Sequence, residues 1–440
     1  MKLILNFLLF SFFLLFSTYG NAQLTITEIG TLPEPVSNNA VCEGFIDGVP
    51  YLFSFAGIDT TKIFSGTHLK SFRMNLETGE SERIDDLPGD QGLLATGASR
   101  IGNIIYIVGG YTVNANGSEV TSRKVRRYDI ENNEFLSDAA DLIVPTDDHV
   151  QAVWRDSLLY VVTGWSNSAN IRFTQVYDPI SDNWTNGTLL PNDNNYTSFG
   201  ASGAIVDDKI YYFGGARSTG NFPIQNYLRV GEINPDDPSE VTWTISQPDA
   251  DINGYRMAAT MMDDQVHWIG GSNNTYNYNG IAYDGSGGVP TANQELVFVE
   301  GLEVNRFEID NEVPMDLRGI AKISDTEQYI AGGMLANQQV TDKVFKLELK
   351  PLIVIPAVSY TAADLGINIF PNPVVDQINI VNEGKEKIES YNIYDNNGKL
   401  ILNSVFNSSI AVGDIIPGIY FIELILQSGK KVKERIQVGD

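Results

Sequence analysis

One cysteine, three histidines and a shortage of basic residues set the first limits on this 440-residue chain. A lone thiol, Cys42, allows no internal disulfide, so packing must hold the fold together. His68, His149 and His267 lie far apart and no HExxH occurs, so the usual zinc arrangements are missing and no metal is expected. Lys and Arg number 29 against 55 Asp and Glu, a formal net charge of −26. Such a surface repels phosphate backbones and argues against a nucleic-acid partner. The acids nowhere take the spacing of a calcium loop with its closing glutamate, and DNNG at 395–398 reads as a hairpin turn. GASGA at 200–204 opens a strand and falls short of a nucleophile elbow. No motif calls for a cofactor, and none nominates a catalytic residue. Long apolar runs are also missing outside the N-terminus. There, MKLILNFLLFSFFLLFSTYGNAQ combines Lys2, an apolar core too short to span a bilayer and the small-x-small Gly20-Asn21-Ala22. A signal peptide is expected over 1–22, with the mature chain starting at Gln23 and no transmembrane segment.

What the chain does have is a repeat. GNIIYIVGGYT at 102–112, an apolar strand ending in a glycine pair, recurs as YLFSFAG at 51–57, YVVTG at 160–164, YYFGG at 211–215, HWIGG at 267–271 and YIAGG at 329–333. An aromatic column runs through the copies: Phe53, Tyr106, Tyr160, Tyr211, His267 and Tyr329. A second column precedes them, Pro33, Pro88, Pro145, Pro191, Pro248 and Pro314. Proline cannot donate to a ladder, so each suits the place where a strand leaves one sheet for the next. Six copies at roughly fifty- to sixty-residue spacing imply six sheets arranged radially. LTITEIGTLP at 24–33 alternates like a strand but precedes the first copy, while the last copy lacks an outer strand. The N-terminal strand is therefore expected to complete the sixth sheet and close the ring.

These columns resemble the kelch family of β-propellers over about 24–349. Tyr128-Asp129, Tyr177-Asp178 with Trp184, and Trp243 fit the family's outer-strand aromatics, whereas three blades keep only Phe72, Phe307 and Phe345. The fold class expected is all-β, a six-bladed propeller at 23–350. The resemblance implies little about activity, because kelch propellers include binding modules and enzymes. Its copper oxidases need a cysteine cross-linked to tyrosine and two histidine ligands, which Cys42, placed in a core strand, fits poorly. A six-bladed relative is a sialic acid mutarotase, matched here by architecture alone. Six-bladed sialidases carry Ser-x-Asp-x-Gly-x-Thr-Trp turns, and none occurs.

Counting eleven residues back from the aromatic column gives Cys42, Ala95, His149, Gly200, Arg256 and Arg318 at the opening of each inner strand. Three potentially cationic side chains, His149, Arg256 and Arg318, are thus expected at one central mouth. Asp148, Tyr196, Tyr255 and Asp316 lie on the same crossing loops and complete the candidate binding set. Arginine forks suit carboxylates and hydroxyls, and aromatics suit sugar faces. The competing reading is that the arginines pair with the aspartates and staple blade to blade. His267 reads as a packed histidine. The insertion at 272–294 is either a solvated loop or an offer of stacking faces by Tyr276, Tyr278 and Tyr283. The expectation is a surface or secreted module that binds carbohydrate or protein. The alternative is a carbohydrate-active enzyme, such as a sialic acid mutarotase-like propeller, working in the same mouth.

After a linker at 351–366 come alternating strands broken by Asn-Gly, Pro-Gly and Ser-Gly turns, the pattern of a small antiparallel sandwich. Pro371-Asn372-Pro373, the hairpin through Gly398, Gly418-Ile419-Tyr420 and the basic ending resemble the type A sorting domain of type IX secretion. The resemblance covers 367–440 and implies delivery across the outer membrane, with the type IX machinery as partner.

Overall fold

The computed structural model describes residues 23–299, 302–350, 362, 365–384, 386–395, 399–406, 408–413, 415–428 and 430–439. The expected signal peptide, most of the expected linker and Gly398 lie outside the described residues. The chain divides into two compact units, one within Ala22–Lys350 and one within 351–440. Among the described residues the only helices are two single 3-10 turns.

The first unit is a ring of six antiparallel sheets, each laid out from its inner to its outer strand. Blade two shows the pattern with Gly97–Ile101, Ile104–Val108, Val125–Asp129 and Glu134–Phe135. The glycine doublet follows the second strand, and the six prolines sit in the crossing loops just beyond the outer strands. Blade six takes its outer strand, Gln23–Thr31, from the N-terminus, in antiparallel register with Lys343–Lys350. Leu24 and Ile26 bury beside Leu347 and Leu349, so apolar packing fastens the closure. A second seam joins blade six to blade one, because Arg318–Gly319 pairs in parallel with the start of Ala40–Ile46.

The doublet has a physical reason. The second glycine of each donates its N–H to a crossing loop of the next blade: Gly57 to Leu93, Gly110 to Thr146, Gly164 to Ser198, Gly215 to Gly254, Gly271 to Pro314 and Gly333 to Val36, at 2.9–3.2 Å. These six bonds run round the whole ring. They require positive φ, 87° at Gly110, and the blade's own entering loop leaves no room for a side chain, since a Cβ there would stand 2.6 Å from the Leu94 carbonyl oxygen. Where the first doublet position is not glycine, Ala56 and Thr163 carry the strain, with φ of 58° and 52°.

The second unit is a two-sheet sandwich. Ile367–Phe370, Gln377–Asn382 and Ser409–Ala411 form one sheet, and Ile388–Asp395, Leu400–Val405, Gly418–Leu426 and Lys431–Val438 the other. Ile378, Ile393, Ile422, Leu424, Val432 and Ile436 fill the space between the sheets.

Cys42 is a buried core thiol in an inner strand, facing Phe53, and burial raises its pKa well above normal. His267 is likewise packed, with Nδ1 2.6 Å from Glu295 Oε1.

Gly110→Ala is expected to cost several kcal/mol, since left-handed strain adds to a backbone clash. Gly102→Ala, at a hairpin with φ 57° and nothing within 4 Å of the added methyl, should cost about 1 kcal/mol. Denaturant melts of the two variants compare them directly, and equal losses would contradict the proposed role of the doublet.

Candidate binding site

Each blade opens on a residue in the left-handed region: Asn38, Ala95, Asp148, Gly200, Arg256 and Asp316, with φ between 50° and 67°. The chain turns sharply there, from crossing loop into inner strand, and the backbones hydrogen-bond round the axis. Asp148 donates its N–H to Ala95 O at 3.1 Å, Gly200 to Asp148 O at 2.9 Å, Arg256 to Gly200 O at 2.9 Å, and Leu317 to Arg256 O at 3.1 Å. This is the true opening column. Counting back from the second strand recovers it at Ala95, Gly200 and Arg256. It misses at Cys42, His149 and Arg318, because hairpin length and a bulge vary the spacing between the two strands.

The column places two carboxylates and one guanidinium together on the axis, and Arg318, two residues beyond Asp316, brings a second guanidinium to them. Arg256, 1% exposed, donates from one terminal nitrogen to Asp148 Oδ2 at 2.9 Å and from the other to Asp316 Oδ1 at 3.0 Å. Arg318 also pairs closely with Asp148. Asp316 accepts further bonds from Ser37 Oγ at 2.7 Å and Asn38 Nδ2 at 3.0 Å. Burial alone would raise the pKa of Asp148, but Arg256 and Arg318 outweigh it and hold the carboxyl below its usual value. Tyr255 and Tyr276 flank Arg256, their ring centres 5.0 and 5.2 Å from its guanidinium carbon. Both rings are fully buried.

Two cavities meet this cluster. The smaller, about 80 Å3, lies among the inner strands and is lined by His149, Gln151, Arg318 and small residues such as Gly97, Ala201 and Gly203. The larger, about 200 Å3, has an aromatic wall of Tyr111, Trp165, Phe199, Phe222 and Tyr283. Glu119, Asp147, Asp148, Arg256 and Asn277 complete its lining. The rings lock one another edge to face: Trp165 to Phe199 at 5.4 Å, Trp165 to Phe222 at 5.6 Å and Phe222 to Tyr283 at 4.8 Å. Phe222 holds φ at 52°, rare for a bulky side chain, with its carbonyl fixed by Thr275 Oγ1 at 2.7 Å. Asp147 is 2% exposed and bridges Trp165 through its backbone. Its Oδ2 accepts from Thr121 Oγ1 at 2.7 Å. Burial, and after it the neighbouring Asp148, push the Asp147 pKa well above the carboxylate range, with Thr121 pulling the other way.

Asp148, Arg256, Asp316 and Arg318 of the expected set are thus brought together, as an ion cluster between the cavities, and only Asp148 and Arg256 reach the larger one. His149 lines the smaller cavity, its Nε2 3.0 Å from Gln151 Oε1. Burial lowers its pKa to about 4, against the opposing pull of Gln151, so the cluster holds two cations at neutral pH and not three. Tyr196 lies outside both cavities, its carbonyl accepting from the Tyr212 hydroxyl at 2.6 Å. Tyr255 packs beneath the cluster with no face open to a ligand. The insertion at 272–294 is no solvated loop. Tyr276 packs into a core with Tyr255 and Met315, and Tyr283 joins the cavity wall. Sequence reasoning missed Tyr111 and Trp165, although each directly follows the closing glycine of its repeat copy, Gly110 and Gly164, and that position could have been read as a column.

Residues 368–438 match the family described as "Secretion system C-terminal sorting domain". The propeller is similar to Kelch-like protein 15 of Danio rerio, 28% identical over 119 residues, which are 27% of this chain and 19% of that one. It is similar also to Kelch-like protein terF of Aspergillus terreus, 26% identical over 211 residues, 47% of this chain and 43% of that one. The chain therefore spans about a fifth of the first of these relatives and under half of the second. A solved structure titled "Structure of YjhT" superposes with a TM-score of 0.56 at 13% identity, over 71% of this chain and 95% of its own. The chain is a kelch-type propeller carrying a type IX sorting domain. In that sorting domain Pro371, Asn372 and Pro373 are exposed, and Asn372 is tied to the last strand by bonds to Arg435 O at 2.9 Å and from Gln437 N at 2.8 Å. Gly418 opens the penultimate strand, and the Tyr420 hydroxyl donates to Ile416 O at 2.7 Å.

Arg256→Met leaves Asp148 and Asp316 buried without their shared cation. It should destabilise the kelch propeller by about 3–5 kcal/mol at neutral pH. Asp148 in the parent has a depressed pKa, so its contribution is present above the unfolded value and lost as pH falls below it. In the variant the same carboxyls favour protonation. The gap between parent and variant in denaturant melts should therefore narrow from pH 7 to about pH 4, whereas a constant gap would contradict the charge pairing.

Proposed function

We propose that this exported kelch propeller is a carbohydrate-binding module whose ligand enters the aromatic cavity beside the ion cluster. Export itself follows from the sorting domain, which carries the protein through the type IX machinery to the cell surface or the medium. One observation carries the binding reading: a single cavity of about 200 Å3 is lined both by aromatic rings and by the carboxyls of Glu119, Asp147 and Asp148. A sugar ring offers apolar C–H faces to such rings and hydroxyl donors to such carboxylates. The volume lies below the roughly 300–1,000 Å3 typical of sites for drug-sized ligands, so it suits one sugar unit better than a peptide segment. The binding set becomes Asp148 and Arg256 of the expected residues, joined by Tyr111, Asp147, Trp165 and Tyr283.

A second reading, a carbohydrate-active enzyme such as a sialic acid mutarotase-like propeller, draws on Asp147. A buried carboxyl with a raised pKa, next to one held ionised, is the arrangement by which two acids divide general-acid and charged roles.

Calorimetric titration with a panel of monosaccharides should detect saturable binding, and Trp165→Ala should weaken it about tenfold or more by removing a stacking face. NMR of the same mixtures decides between the readings. Accelerated anomer exchange or hydrolysis, lost in Asp147→Asn, would establish the enzyme, and unchanged sugar would leave the module. Absence of binding by every sugar would overturn both. Separately, a chain lacking 367–440 should accumulate inside the outer membrane, and its normal appearance outside the cell would contradict the sorting role.

A further inference from the structure

The charges around the larger cavity do not balance. Arg256 and Arg318 are matched by Asp148 and Asp316, and those four account for one another. Asp147 and Glu119 remain. Among the described residues neither forms a salt bridge, and Thr121 is the only side chain hydrogen-bonded to the Asp147 carboxyl, leaving Oδ1 without a donor. That oxygen is open to solvent in the cavity and free to accept from a ligand. Aromatic rings line the same space, and ring faces attract cations as well as C–H groups.

From this we infer that the cavity selects a sugar bearing a protonated amine, with the ammonium against Asp147 and Glu119 and the ring on the wall of Trp165 and Tyr283. The inference rests on the carbohydrate reading of the cavity and adds its specificity. A neutral sugar would bring neither acid a counter-charge, so Asp147 would keep its proton beneath it. An acidic sugar would add a like charge, since the neighbouring Arg256 is already paired on both terminal nitrogens. An ammonium supplies the missing donor to Oδ1 and the missing positive charge together. The groups facing Asp147 from the packed elements are Thr121, Glu119 and Asp148, with Arg318 beyond. Their balance favours the protonated carboxyl in the empty site, so a bound ammonium should drive a proton out of Asp147.

The test is calorimetric titration of the full chain with glucosamine, glucose, N-acetylglucosamine and N-acetylneuraminate, repeated in two buffers of different ionisation heat. Glucosamine is expected to bind at least tenfold tighter than glucose. It should release a proton that glucose does not, with N-acetylglucosamine resembling glucose and N-acetylneuraminate weakest. Asp147→Asn, which keeps an acceptor for Thr121, should abolish the proton release and bring glucosamine down to the affinity that the same variant shows for glucose. Glu119→Gln, at the exposed rim, should lower glucosamine affinity a few-fold, and it tests the inference should the Asp147 variant fail to fold. Equal affinities for glucosamine and glucose, or tighter binding of N-acetylneuraminate, would overturn the amine specificity and leave the carbohydrate site standing. No binding by any of the four would overturn both.

Discussion

A closed ring of sheets depends on backbone meeting backbone at the joints between blades. Here that joint is the N–H of the second doublet glycine, donated to a carbonyl in the next crossing loop, six times round the ring and across the closure from Gly333 to Val36. Side chains cannot substitute for it, because the approach is too close for a Cβ and the dihedral lies where other residues are strained. Once the joints are fixed, the inner strands have no freedom in how they begin. Each must turn into its blade through a left-handed residue, and those residues converge on the axis.

That convergence explains why charged groups sit in the middle of the propeller. Left-handed positions tolerate Asn and Asp better than most residues, and three of the six openings are Asn38, Asp148 and Asp316. Arg256, at a fourth opening, lies between the two carboxylates and bonds to both, and Arg318 supplies the second positive charge. Buried in this way the cluster acts first as a structural brace. Because it is charge-balanced it also forms a rigid floor for the cavity above, whose walls come from residues that follow the doublets and from the insertion at 272–294. The binding surface is thus assembled from several loops that the scaffold holds still.

Much of the architecture was legible in the sequence. Glycine pairs, aromatic columns and prolines mark blade number, strand order and closure by the N-terminal strand, because each is imposed by local geometry that repeats. The sorting domain was legible for the same reason, through turn residues and alternation. The site was legible only in part. Arg256, Asp148, Asp316 and Arg318 were nominated together, but as a mouth open to ligand. Their mutual pairing depends on side chains meeting across the axis from blades distant in the chain, which no local pattern encodes. Counting also slipped wherever a hairpin differed in length, exchanging Asp148 for His149 and Asp316 for Arg318 in the opening column.

By itself, then, the sequence determined the all-β ring of six blades, the sandwich that follows it and the route out of the cell. These rest on periodic backbone requirements and on short motifs, both of which are properties of neighbouring residues. Only the tertiary structure decided that the arginines are braces, that His149 is neutral, that Tyr255 is hidden while Trp165 and Tyr283 face a cavity, and that Asp147 lacks a counter-charge. Burial and charge balance arise from residues far apart in the chain, and they exist only once the ring has closed.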